Sequence, residues 1–229
     1  MTLYTTDGRA IDAVLFDLDG TLVETSNRWA EDLAERLAPL RRLSSRIDTE
    51  KLARALVMAI EMPANYLVSS LERLGLTGVI SGIADRVRRS KGLAIRGQAE
   101  LIVGSEALLE ALAPQVRLAV VTTRARAEAH AFVQSAGFAR FFPVIITRQD
   151  VWRMKPHPAP VLAAAEQLDV DPERCLLVGD TVMDVRAAKR AGAVAVGVLT
   201  GIANRQELER AGADLILERA DELLPHLSP

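Results

Sequence analysis

Four carboxylates, one hydroxyl and one ammonium stand at positions from which they could act together. Asp17 and Asp19 lie two residues apart in Asp17-Leu18-Asp19-Gly20-Thr21, and Thr122 opens Thr122-Thr123-Arg124. Lys155 sits beside prolines in Met154-Lys155-Pro156-His157-Pro158, and Asp180 and Asp184 belong to Gly179-Asp180-Thr181-Val182-Met183-Asp184. Each group alone has a structural reading: Asp-x-Asp-Gly is common in turns, Asp180 and Asp184 suit a helix N-terminus, and Thr122 suits a strand end. Lys155 fits such a reading less well, because only four of the 28 Lys plus Arg residues are lysines. The joint pattern is harder still to explain by structure alone. Four crowded carboxylates without cations repel one another and force some pKa values upward. One Mg²⁺ and Lys155 offset three of the four charges, and protonation of one Asp removes the fourth. That count describes a Mg²⁺ site with a general acid.

The elements that must position these groups are legible as apolar runs. Residues 13–16, 118–121, 144–146, 175–178, 194–199 and 215–217 are short Val, Ile and Leu-rich stretches of the kind that form buried strands. Between them, residues 105–113, 126–136, 159–168, 181–191 and 206–211 carry helical spacing, with Gly137, Gly192 and Gly212 where C-terminal caps belong. Strand alternating with helix at this rhythm predicts a doubly wound α/β fold with a parallel sheet. In such sheets ligands bind at the carboxyl ends of the strands, and the four motifs follow the first four runs. Asp7-Gly8 is a candidate hairpin turn near the start.

Residues 25–91 break the rhythm. Stripes such as Trp29, Leu33, Leu37 and Leu40, or Leu67, Leu71 and Leu74, repeat at helical spacing, and no convincing strand intervenes. The chain therefore divides into an α/β core of residues 1–24 and 92–229 and an inserted helical cap of residues 25–91. Both linkers return to the rim that carries Asp17 and Asp19, which places the cap over the site. Arg41, Arg42, Arg46, Arg73, Arg88 and Arg89 in this segment are either a solvated face or contacts for an anionic substrate.

Composition narrows the function classes. At 229 residues, 49% hydrophobic and 25% charged, the chain has the balance of an ordinary globular protein. A net charge of -2 gives no broad electrostatic reason to bind nucleic acid or an anionic membrane. No apolar run approaches the ~20 residues of a membrane span, and residues 1–8 lack the basic-then-apolar order of a signal peptide, so the expected location is the cytoplasm. The single cysteine, Cys175, excludes an internal disulfide and opens an apolar run, as a buried core thiol does. Gly-Lys, Gly-x-Gly, His-Glu-x-x-His and Gly-x-Ser-x-Gly are all absent. An EF-hand frame from Asp17 finds Leu22 and Arg28 where Gly and Glu are required. His130, His157 and His226 read as surface or turn residues.

With those residues in order, the sequence resembles the haloacid dehalogenase superfamily, in its phosphatase branch with a helical cap inserted after the first motif, as in phosphoglycolate phosphatase-like proteins. Val14 to Val23 resembles the first motif, Thr122 the hydroxyl of the second, Lys155-Pro156 the third and Gly179-Asp180 through Asp184 the fourth. The resemblance implies that Asp17 is a nucleophile forming an aspartyl-phosphate and that Asp19 is the acid for the leaving group and then the base for water. It implies a Mg²⁺ ion held by the Asp17 carboxylate, the Asp19 backbone carbonyl and Asp180, with Asp184 in the inner or outer shell. Thr122 and Lys155 would hold phosphoryl oxygens, with backbone N–H groups near Leu18 and Thr123 as added donors. A carboxylate at position 19 favours phosphate-ester hydrolysis over dehalogenation. Thr123 stands where Asn or Ser is more usual, and Glu24 where Asp is. The expected activity is Mg²⁺-dependent hydrolysis of small phosphorylated metabolites, phosphoglycolate among them. Phosphomutase and pyrophosphatase are the alternatives within the superfamily, and a receiver-like phospho-acceptor module is the alternative outside it.

Overall fold

The computed structural model describes residues 2–24 and 100–229. The cap assigned to residues 25–91, its arginines and the first residues of the expected second core segment lie outside the described residues.

Six strands form one wholly parallel sheet: β3 (Ala13–Phe16), β4 (Arg117–Val121), β5 (Val144–Ile146), β6 (Cys175–Gly179), β7 (Val194–Val198) and β8 (Leu215–Leu217), in the order β5-β4-β3-β6-β7-β8. These are the six strands predicted from the apolar runs. Every residue of β3, β6 and β7 is buried, as expected for strands covered on both faces. Because successive side chains alternate, one set of strand residues faces each side. Val14, Phe16, Leu118, Val120, Leu176 and Val178 pack against Leu108, Leu112, Phe132 and Phe138, whereas Ala13, Leu15, Ala119, Val121, Cys175 and Leu177 pack against Val161, Ala165, Val185 and Leu208.

The helices are α1 (Ser105–Leu112), α2 (Arg126–Ser135), α3 (Ala159–Leu168), α4 (Val182–Ala191) and α5 (Arg205–Ala211). Helices α1 and α2 bury their apolar stripes on the first face, and α3, α4 and α5 on the second. The architecture is thus doubly wound, as predicted. Helix α4 begins in a capping box, in which Asp184 N donates to Thr181 Oγ1 and Thr181 N donates to Asp184 Oδ2, and it stops at Gly192, whose φ of 83° ends the helical path. The expected hairpin is present: β1 (Leu3–Thr5) pairs antiparallel with β2 (Ala10–Ile11), turning at Gly8. A short strand, β9 (Leu227–Ser228), adds to β1 and was not anticipated.

Topology fixes where a ligand belongs. From β3 the chain winds outward through β4 and β5, then crosses back to continue from β6 on the other side of β3. The reversal falls between β3 and β6, and crevices at such switch points, beyond the carboxyl ends of the strands, are where open α/β sheets bind ligands. Asp17 follows β3 directly and Asp180 follows β6 directly.

Candidate active site

Strand register carries the carboxylates to one place. Phe16 is level with Val178 on one side and Val120 on the other, and Asp17 N donates to the Val178 carbonyl at 2.9 Å. One carboxylate oxygen each from Asp17, Asp180 and Asp184 lie within 4.8 Å of one another, and all three residues are buried. Lys155 reaches into this cluster. Its ammonium lies 2.5 Å from Asp184 Oδ1 and 3.1 Å from Asp17 Oδ1, and it donates to the Val121 carbonyl at 2.9 Å. Its three N–H donors have three acceptors, so it is held as a fixed point charge. The Lys155–Pro156 peptide is cis.

Glycines make the approach of the carboxylates feasible. A Cβ at Gly201 or at Gly20 would overlap the Asp180 carboxylate, and one at Gly179 would overlap that of Asp184. Gly20 also has a φ of 73°, a conformation that side chains disfavour. Asp180 Oδ2 accepts from Ile202 N at 2.9 Å, whereas Asp180 Oδ1 is buried with no hydrogen-bond partner. Both oxygens of Asp184 are taken, Oδ1 by Lys155 and Oδ2 by the backbone N–H and hydroxyl of Thr181.

Burial dominates the electrostatics. It pushes Asp17 up to about 7, helped by the charges of Asp184 and Asp19 and opposed by Lys155. Burial also raises Asp180 well above the ordinary carboxylate range, with Asp184 and Asp17 adding to the effect. For Lys155 burial disfavours the charge, but Asp17 and Asp184 outweigh it and hold the ammonium above its ordinary pKa. An unpartnered buried oxygen and two strained carboxylates describe a site short of positive charge. An all-oxygen donor set of this kind fits a hard divalent cation such as Mg²⁺, with Asp17 and Asp180 free to ligate and Asp184 committed to Lys155 and Thr181.

Asp19 is placed differently. It belongs to a tight turn in which Gly20 N donates to the Val23 carbonyl at 2.7 Å, and its carboxylate is gripped at both oxygens by Arg124. Arg124 Nε reaches Asp19 Oδ2 at 2.7 Å, Nη2 reaches Oδ1 at 2.5 Å, and the guanidinium lies 4.4 Å from the centre of the Phe132 ring. This corrects the charge count made from the sequence, which left Arg124 out. With Lys155 and Arg124 both present, one divalent cation balances four ionised aspartates and no carboxylate has to be protonated.

Thr122 lies at the end of β4, fully buried, and its Oγ1 accepts from Arg124 N at 3.2 Å. Of the predicted residues, Asp17, Asp180, Asp184 and Lys155 thus form one cluster, with Thr122 one residue past the carbonyl that anchors Lys155. Asp19 stands at its rim. The sequence reading missed Arg124, Thr181, Gly20 and Gly201. Gly201 had a signal, since Thr200-Gly201 closes the fifth apolar run just as the chemical motifs close the first four. Cys175 is the buried thiol expected, pushed up to about 12 by burial. His157 Nδ1 accepts from Ala159 N in a turn, also as expected.

Known proteins similar to this chain are hydrolases or share their fold. Pyrophosphatase PpaX of Bacillus mycoides (strain KBAB4) is 28% identical over 236 residues, covering 95% of this chain and 97% of the relative. A hydrolase of the haloacid dehalogenase family from Deinococcus radiodurans R1, solved with bound phosphate and sodium, superposes with a TM-score of 0.66 at 28% identity over 93% of each chain. A Lactobacillus plantarum structure, provisionally named a phosphoglycolate phosphatase, gives a TM-score of 0.68 at 24% identity over 94% of this chain and 98% of that one, a likeness of fold. The family model described as haloacid dehalogenase-like hydrolase matches residues 14–198, which span every motif named above. The chain belongs to the haloacid dehalogenase-like hydrolase family.

Proposed function

We propose that this hydrolase is a Mg²⁺-dependent phosphatase of small phosphorylated metabolites that works through an aspartyl-phosphate on Asp17. The observation that carries the reading is the buried cluster of Asp17, Asp180 and Asp184 at the switch point of the sheet, in which Asp180 Oδ1 has no hydrogen-bond partner. Asp17 and Asp180, with the Asp19 carbonyl, would hold the metal. Bound there, it would offset the charge of the transferring phosphoryl group. Asp19 takes up a proton from water when the anionic substrate adds its charge to the site; Asp17 then attacks phosphorus, the bond to the leaving oxygen breaks, and Asp19 gives that proton to this oxygen. Asp19 then takes a proton from water as the water attacks phosphorus, and inorganic phosphate leaves with Asp17 restored. Lys155 and Thr122 hold phosphoryl oxygens. Residues 25–91, read from the sequence as a cap, would choose among leaving groups, because each motif residue assigned a role above lies outside that segment.

Two substrate types stand out. The near full-length relative named a pyrophosphatase favours inorganic pyrophosphate, and the branch resemblance favours short phosphorylated acids such as phosphoglycolate. The deciding experiment measures phosphate release from pyrophosphate, phosphoglycolate, sugar phosphates, nucleoside monophosphates and an aryl phosphate, with metal-free protein and after Mg²⁺ is added. Release that requires Mg²⁺ supports the reading, and the ranking names the substrate. Equal rates without metal would overturn it, as would an isomerised sugar phosphate with no phosphate released, which is the outcome expected of a mutase.

A further inference from the structure

The grip of Arg124 on Asp19 goes beyond the motif residues. Asp19 lies in the turn that follows β3, Arg124 in the loop that follows β4, and they are 105 positions apart in the sequence. Arg124 is itself well anchored: its guanidinium faces the Phe132 ring, its N–H donates to Thr122 Oγ1, and its carbonyl accepts from Arg148 N at 3.3 Å. Two parallel hydrogen bonds to one carboxylate fix both its position and the plane in which it lies, a restraint that a lysine cannot reproduce. Asp19 has side-chain exposure of 36% and Arg124 of 16%, so the Asp19 side chain stays partly accessible although it is paired.

We infer that Arg124 is the positioning residue for the acid–base carboxylate of Asp19. It holds that carboxylate at a set distance from the Asp17 cluster and couples it to the loop carrying Thr122. For Asp19 to give or take a proton, one of its oxygens must face the substrate, and the fork of Arg124 determines which way the carboxylate is turned when that happens. A general acid that is free to rotate donates in fewer encounters, so losing the fork should lower turnover and leave the binding of the phosphoryl group intact.

This inference rests on the proposed phosphatase reading, and the experiment separates the two. Asp19→Asn, Arg124→Ala, Arg124→Lys and the double variant Asp19→Asn with Arg124→Ala are compared on an alkyl and an activated aryl phosphate under saturating Mg²⁺. Arg124→Ala should lower kcat on the alkyl ester by about 10- to 100-fold, within the range general acid–base catalysis supplies, while KM changes less than about twofold. The loss should be smaller on the aryl ester, whose leaving group needs less help, and Arg124→Lys should recover part of it. In the Asp19→Asn background, Arg124→Ala should cost nothing further, because a residue that acts only through Asp19 has nothing left to act on. An undiminished loss in that background, or a loss confined to KM, would overturn the inference and make Arg124 a direct substrate contact. If Asp19→Asn is damaging and Arg124→Ala is not, the phosphatase reading stands and the inference falls. If Asp19→Asn is itself harmless, the assigned role of Asp19 fails first.

Discussion

Replacing Asp17 by Asn should make the metal-free protein more stable than wild type at alkaline pH, while removing its activity. Burial, with help from Asp184 and Asp19, raises the Asp17 carboxyl from 3.8 to about 7. A carboxyl raised on folding stabilises the native state through its protonated form. That contribution is complete below the unfolded pKa and is lost as pH rises through the folded one. At about 1.4 kcal/mol per unit, the full swing for Asp17 is about 4 kcal/mol, of which about 3 kcal/mol falls between pH 5 and pH 8. Asn mimics the protonated form at every pH, so the variant escapes the loss. It also relieves Asp180 of one neighbouring charge, which moves the balance the same way.

The assay is urea unfolding in excess chelator, with wild type and Asp17→Asn each measured at pH 5 and pH 8. The stability difference between them should shift by about 3 kcal/mol in the variant's favour from the lower pH to the higher. Adding Mg²⁺ at pH 8 should then stabilise wild type far more than the variant, because the cation binds the ionised carboxylate that Asn lacks. A difference that is the same at both pH values would refute the account of Asp17 as a charge strained by burial. It would also remove the main electrostatic reason for a cation between Asp17 and Asp180.

Three further outcomes are expected. Gly201→Ala puts a methyl group where the Asp180 carboxylate lies, so the Mg²⁺ concentration for half-maximal activity should rise by about tenfold or more while the circular dichroism spectrum is unchanged. Lys155→Ala leaves Asp17 and Asp184 without their shared cation. It should raise KM and lower kcat together and cost about 3–5 kcal/mol of stability in chelator at pH 8, and Lys155→Arg should rescue little because a planar fork does not fit the three acceptors around an ammonium. Replacing residues 25–91 by a short flexible linker should leave slow, Mg²⁺-dependent hydrolysis of an aryl phosphate and erase the ranking among metabolite esters; Glu24 N donates to the Glu100 carbonyl at 2.9 Å, so the two core segments are tied together independently of the replaced residues.

The elements were legible because each is specified locally. A strand buried on both faces must be apolar throughout, so Ala13–Phe16 or Val194–Val198 announces itself without knowledge of its neighbours. A helix such as Val182–Ala191 carries its own start in Thr181 and Asp184 and its own stop in Gly192. The parts that escaped depend on residues far apart in the chain. Strand β9 is two residues long and exists only because β1 offers it an edge. One local feature also escaped: Asp169, at a φ of 54°, ends α3 in the role usually taken by glycine, so the glycine rule passed over it. Arg124 was visible as a residue, but nothing near it in sequence indicates that its partner is Asp19.

That last omission changes the chemistry assigned to the site. Counted from the motifs alone, four aspartates face one lysine and one divalent cation, and neutrality requires that a carboxyl be protonated at rest. The fold supplies a second fixed cation at Asp19, which lies toward solvent, and reserves Lys155 for the buried Asp17 and Asp184. The uncompensated charge is then confined to the buried cluster, where Asp17 and Asp180 are both raised and one Asp180 oxygen has no partner. These two residues end the strands on either side of the point where the winding of the sheet reverses, so the crevice created by the topology and the deficit created by burial coincide. A divalent cation at that point would offset the desolvation penalty on both aspartates while the Asp19 carboxylate stays paired with Arg124. The proposed acid–base carboxylate thus has its own cation in Arg124 and the proposed nucleophile two residues before it has Lys155, so one short segment of chain can provide both although Asp17 still feels the charge of Asp19.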